Sequence, residues 1–331
     1  MLNRLVDEGR GGADPISMGC AGKCSLSFVE QVVETIQSQG HDVDWRDAIH
    51  LPSNHGTQMW SLDVIRSLPV APGLFGRIAA LHACSDLYVE GSLPCHAAMI
   101  LGAGRNRTAT QTLEMVEGAA ATFAEINVNL GGGHSFQTHE PELGFAVLGR
   151  SPNARTDPNP PIAGDIVAVT KPIGSGLMMN ALTSGDEEKA WEQHLMAVLG
   201  APNDLALALF ADSMVRNMTD VTGFGLLYGI EHLLSGLEEG CTLNFDAVPT
   251  FSGWERYAME GYFSPLAHSN AVGTNQRWTS TLKPWQQLLL NDPQTNGAIL
   301  FIADLSFDKT KHPNAEIWTI GQITDSGLEI R

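Results

Sequence analysis

Met218-Thr219-Asp220-Val221-Thr222-Gly223-Phe224-Gly225-Leu226-Leu227 is the stretch on which the reading of this chain turns. It runs from polar residues through two glycines into an apolar segment. The pattern predicts a polar turn entering an apolar helix, with Thr219 or Asp220 as N-cap. Read alone, it assigns Asp220 to capping. Further along, Leu288-Leu289-Leu290-Asn291-Asp292-Pro293-Gln294-Thr295-Asn296-Gly297 precedes an apolar strand over 298–303, and a last strand is expected over 317–323. Upstream, helices are expected near 187–199 and 205–215. Before them a buried strand over 165–170 leads through Lys171-Pro172-Ile173-Gly174-Ser175-Gly176 into another helix. That loop is no Walker A motif, because the Gly-Lys-Ser/Thr ending is missing. Residues 151–161 contain four prolines and read as a linker.

The first half carries the more unusual chemistry. Met18-Gly19-Cys20-Ala21-Gly22-Lys23-Cys24-Ser25 places a thiol, two glycines and an ammonium close together. A nearby ammonium favours the thiolate form of Cys20, and Lys23 could instead hold a phosphate as a point charge. Taken alone, the segment also fits a mobile terminus with ordinary cysteines. Phe28, Val29, Val32, Val33 and Ile36 recur at helical spacing, so a helix over about 27–39 follows, closed by Gly40.

Residues 41–50 suggest a strand edge carrying carboxylates. A hairpin turn over 54–57 and a returning strand over 59–65 would set Asp47 and Asp63 at neighbouring strand ends. Paired carboxylates suit a hard cation, and two solvated turn aspartates would give the same spacing. Gly76–Tyr88 reads as a helix of small residues. Asp86 near its C-terminus opposes the macrodipole, so its placement calls for another reason, such as a cation. His82 reads as a packed histidine. A strand over 97–101 and a helix over 110–123 follow. A strand over 126–130 then enters the glycine loop Gly131-Gly132-Gly133-His134-Ser135, whose amides could face an anion or form a tight hairpin. A buried strand over 143–149 completes this half.

Length and composition limit the functional classes. The chain has 331 residues, enough for two domains. With 43% hydrophobic and 17% charged residues it reads as a folded soluble protein. A formal charge of −18 makes nucleic acid and anionic membranes poor partners. Such a protein needs local cations to hold a nucleotide, and carboxylate-bound magnesium would supply them. Five cysteines without a repeating framework indicate a reducing compartment, and the expected location is cytoplasmic. The spacing of Cys20 and Cys24 fits neither a zinc knuckle nor the usual redox pair.

The motifs, in their order, resemble the selenophosphate synthetase (selenide, water dikinase) family, of the aminoimidazole-ribonucleotide synthetase superfamily. The resemblance spans Gly19 to Gly321. It rests on Gly19-Cys20-Ala21-Gly22-Lys23, Phe75-Gly76-Arg77-Ile78-Ala79-Ala80, Ser85-Asp86-Leu87-Tyr88, Gly132-Gly133-His134-Ser135, Thr170-Lys171-Pro172-Ile173-Gly174, Thr219-Asp220-Val221-Thr222-Gly223-Phe224-Gly225 and Asp292-Pro293-Gln294-Thr295.

The resemblance implies an α+β fold: a flexible segment over 1–18, an N-terminal ATP-binding domain over 19–150, the linker over 151–161, and a C-terminal α+β domain over 162–331. It implies N-terminal domains that pair into a β-barrel in a homodimer. The implied reaction converts ATP, selenide and water into selenophosphate, AMP and phosphate, with Mg2+ and K+. By motif, Cys20 handles selenium and Lys23 sits near the phosphates. Asp47, Asp63, Asp86 and Asp220 hold magnesium and ATP phosphates, with Asp47, Asp86 and Asp220 as metal ligands. Gly132, Gly133, His134 and Ser135 contact the nucleotide. The chain departs from the family pattern at Arg46, His82 and Leu93. The runner-up reading is a relative that binds ATP but acts on another substrate, or a non-catalytic paralogue.

Overall fold

The computed structural model describes residues 24, 26–40, 47–53, 56–151, 159–184 and 190–331. Cys20, Lys23 and Arg46 lie outside the described residues, as does most of the expected linker. The first half contains α1 (Leu26–Ser38), β1 (Ile49–Ser53), β2 (Gly56–Arg66), α2 (Pro72–Val89), β3 (Leu93–Gly104), α3 (Ala109–Glu125), β4 (Asn129–Thr138) and β5 (Glu142–Ser151). The second contains β6 (Ile166–Val169), α4 (Ser175–Ala181), α5 (Glu192–Leu199), α6 (Leu205–Ala211), β7 (Val215–Asp220), α7 (Gly225–Leu233) and β8 (Gly240–Leu243). It continues with α8 (Trp254–Met259), α9 (Pro265–Thr274), β9 (Trp278–Ser280), α10 (Pro284–Leu290), β10 (Ile299–Ala303), β11 (Trp318–Thr324) and β12 (Leu328–Ile330). The chain is α+β, as the sequence implies.

The first sheet has the order β1-β2-β5-β3-β4. β3 and β4 are its parallel pair, which needs a crossover, and α3 supplies it. Strand β2 alternates. Met59, Ser61 and Ile65 are buried under α2, whereas Trp60, Leu62 and Val64 are exposed on the opposite face. Helix α2 is buried nearly all round, from Phe75 to Val89. A helix without a polar face needs covering on every side. The first sheet, α3, α6 and β7 provide that cover. Where α2 meets α3, a Cβ on Gly76 would collide with the backbone of Met115, so glycine sets how closely the helices approach.

The second sheet has the order β7-β10-β6-β11-β8-β12-β9. Val167, Ala168, Val169 and all of Ile299–Ala303 are buried. That unbroken apolar pattern marks strands covered on both faces.

Several sequence expectations are corrected. Residues 218–220 are not a turn, and the expected helix over 205–215 stops at Ala211. Val215–Asp220 forms β7, antiparallel to β10, because Val215 and Met218 bury against that apolar strand. Helix α7 begins later, after Phe224, with no side-chain cap, so Asp220 does not cap it. The glycine run 131–133 is likewise no loop. It lies within β4, where Gly133 pairs with Met99 and His134 with Ile100. A Cβ on Gly133 would strike the Met99 backbone, and its φ of 157° is close to extended. The turn comes earlier, at Asn127, with φ 59°.

Candidate active site

Three elements from both halves bring carboxylates together. Asp47 lies just before β1, Asp86 is in the last turn of α2, and Asp220 ends β7. One carboxylate oxygen of each lies within 4.8 Å of the others. At that spacing each pair of charges repels by about 3 kcal/mol at an effective dielectric near 20. The arrangement therefore favours a cation, and an all-oxygen donor set selects a hard one such as Mg2+. The Thr219 hydroxyl donates to Asp47 Oδ1 at 3.1 Å, tying β7 to the segment before β1.

The cavity around these carboxylates measures about 200 Å³. Thr219, Thr222, Phe224, Gly225, Tyr228, Gly229 and His232 complete its lining. Burial and the nearby Glu30, Glu231 and Asp47 carboxylates push the Tyr228 phenol up. Burial holds His232 below its usual range, which favours the neutral ring.

Asp63 is not part of the cluster. It sits within β2, opposite Phe145, and His82 Nε2 lies 3.9 Å from its Oδ1. His82 is buried, and its Nδ1 accepts the Asn296 backbone N–H at 3.2 Å. That bond places the ring proton on Nε2, facing Asp63. His82 thus joins α2 to the second half of the chain. Gly132, Gly133, His134 and Ser135 do not line the carboxylate cavity. Leu93 begins β3 with its side chain exposed.

Polar bonds fix the two halves around α2. The Asn203 amide donates to Ser85 Oγ at 2.9 Å and to Gly297 O at 3.0 Å. Arg77 Nε donates to Gly200 O at 2.8 Å. Behind this seam Lys171 is buried, donating to Ala201 O and Asn296 O at 3.0 Å each. Burial pushes its ammonium down to about 7, against the pull of Asp220 and Asp204. Asp292 is buried too, and desolvation raises its carboxyl to about 7. It accepts the Leu177 N–H at 2.9 Å and is bonded by Gln294. Sequence reasoning missed Thr219, Tyr228, His232 and Asn203. The spacing of Phe224, Tyr228 and His232 was the available signal, since it puts three rings on one helix face.

A sequence profile for the N-terminal domain of AIR synthase related proteins matches residues 46–151, and one for the C-terminal domain matches 163–330. A selenide, water dikinase of Rhizobium meliloti is 30% identical over 310 residues, covering 90% of this chain and 87% of the relative. The chain belongs to the selenide, water dikinase family. Within it, the Cronobacter sakazakii enzyme is 31% identical over 301 residues, with 86% of this chain and 85% of the relative covered. Among solved structures, thiamine monophosphate kinase from Aquifex aeolicus superposes with a TM-score of 0.68 at 15% identity, over 92% of this chain and 97% of that one. Hydrogenase maturation protein HypE in complex with ATP gives 0.61 at 14% identity, covering 92% and 88%. These two share the fold. No helix among the described residues is long and apolar enough to cross a membrane.

Proposed function

We propose that the chain is a selenide, water dikinase, making selenophosphate, AMP and phosphate from ATP, selenide and water. The observation that carries this reading is the convergence of Asp47, Asp86 and Asp220 from both halves of a chain in this family. Phosphoryl transfer depends mainly on positioning and charge neutralisation. Asp47, Asp86 and Asp220 would hold Mg2+, which neutralises phosphate charge when bound. Potassium is part of the same reading. Asp63, held against His82, is assigned to the nucleotide side of the site.

Cys20 is the proposed selenium-handling group and Lys23 the proposed phosphate contact. Both precede α1, whose Glu30 lies close enough to Tyr228 to affect its ionisation. Gly132, Gly133, His134 and Ser135 are proposed to meet the nucleotide from the edge strand β4. The exposed apolar face of Trp60, Leu62 and Val64, at 46%, 60% and 39% exposure, supports a homodimer through the first sheet. The proposed domain limits are 19–150 and 162–331, and the proposed location is cytoplasmic.

Phosphorus NMR tests the chemistry. Purified protein is given ATP, magnesium, potassium and anaerobic selenide, beside Cys20→Ser. A selenophosphate resonance with AMP, lost in the variant, is expected. ATP turnover without selenophosphate would point to a different acceptor, and no turnover would overturn the enzyme reading. Sedimentation velocity of Leu62→Glu, expected to shift a dimer to monomer, tests the sheet interface.

A further inference from the structure

The wall of the carboxylate cavity formed by α7 has no assigned role. Phe224, Tyr228 and His232 follow at intervals of four residues, and all three line the cavity. Tyr228 packs edge-on to Phe224, with centroids 5.0 Å apart, and stacks on His232 at 6.3 Å and 16°. Neighbours on both sides therefore fix the phenol ring. Among the described residues, the Tyr228 hydroxyl makes no hydrogen bond.

The described lining of the cavity offers an anion few donors. No Lys or Arg appears among its described lining residues, and the Thr219 hydroxyl is given to Asp47. A phosphoryl group bridged there by cations still has oxygens that accept hydrogen bonds. A volume of about 200 Å³ is small for a nucleoside, since ligand pockets usually measure about 300–1,000 Å³. The carboxylates favour hard cations and, through them, hard oxygen anions.

We propose that the Tyr228 hydroxyl binds substrate, donating a hydrogen bond to a phosphoryl oxygen seated beside Asp47, Asp86 and Asp220. This rests on the phosphoryl-transfer reading above. The ring stack holds the hydroxyl in place before the anion arrives, so little rotamer freedom is lost on binding.

The test uses full-length Tyr228→Phe, which keeps the ring stack, and Tyr228→Ala. Calorimetry measures Mg2+ alone, then a non-hydrolysable ATP analogue with Mg2+. AMP release measures turnover. For Tyr228→Phe we expect nucleotide affinity or kcat/KM to fall about tenfold or more, as for a lost hydrogen bond to a charged group. Mg2+ affinity and Tm should stay at wild-type values, and Tyr228→Ala should lose at least as much. Tyr228→Phe within twofold of wild type in both affinity and turnover overturns the proposal. A drop in Mg2+ affinity in Tyr228→Phe also overturns it, because the hydroxyl would then be ordering carboxylates. If wild type binds the Mg2+–nucleotide but makes no selenophosphate, the selenide reading fails and Tyr228 is judged on binding. If wild type binds no Mg2+–nucleotide, both fail.

Discussion

Two cavities among the described residues contrast. The larger, about 720 Å³, lies in the second half between α5, α6 and the segment around His312. Its walls are mainly Ala, Val, Leu and Pro, and its buried ammonium, Lys171, is bonded to two backbone carbonyls. The smaller, about 200 Å³, gathers three carboxylates from elements far apart in sequence. On the function proposed above, convergence of like charges, which costs stability, marks the site better than volume does.

The sharpest way to break this comparison is to neutralise the cluster. Asp86→Asn and Asp220→Asn should each lower AMP release about 100-fold or more, by loss of cation binding and charge neutralisation. Without magnesium, their Tm should match or exceed that of wild type, since one repulsion is removed. Thermal melts with and without Mg2+ check this, and a wild-type Tm that Mg2+ does not raise would remove the cation from the account.

Lys171→Met asks whether the ammonium behind the seam is structural. Asn296 O loses its Lys171 donor, while Ala201 O keeps the Asn296 amide at 2.9 Å. A loss of about 1–3 kcal/mol is expected in urea unfolding. Turnover per folded molecule should change much less than in the aspartate variants.

Asp292 gives a smaller, pH-dependent effect. Its carboxyl is raised to about 7 in the fold, against about 3.9 in an unfolded chain. Between those values the folded state keeps a proton that the unfolded state has lost, so stability falls as pH rises through 4–7. Tm measured at pH 5 and pH 7 should decline less in Asp292→Asn than in wild type.

The smallest change is expected from filling the larger cavity. Ala208→Leu lies on its exposed wall. AMP release within about twofold of wild type is expected for such a surface change. A tenfold loss would mean the larger cavity serves the reaction after all.

Much of the fold was legible in the residues. The small residues from Gly76 to Tyr88 form the last turns of α2, the apolar runs at 166–169 and 299–303 form buried strands, and Gly40 closes α1 with φ 83°. Asp86, against the helix dipole, pointed to a cation, and it lies in the carboxylate cluster. The 215–220 segment misled because Thr, Asp and Asn are turn formers locally, whereas pairing with β10 outweighs that preference. The glycines at 131–133 misled for a similar reason: local freedom suggested a loop, but they lie within β4, where Gly133 pairs with Met99 after a register shift.

By itself, the sequence determined the α+β class, the family and the residue types of the site, because periodicity, turn chemistry and motif order are local properties. Motif order had already named Asp47, Asp86 and Asp220 together as metal ligands; tertiary structure alone decided that their carboxylates meet and that Asp63 stays apart. Asp63 was paired with Asp47 on strand spacing, yet the fold turns it toward His82 and brings Asp220 to Asp47 and Asp86. The physical reason is that Asp220 reaches the cluster only when β7 packs beside α2. That packing depends on the burial of α2 and the bonds from Asn203 and Asn296 to Ser85 and His82, which no local pattern encodes.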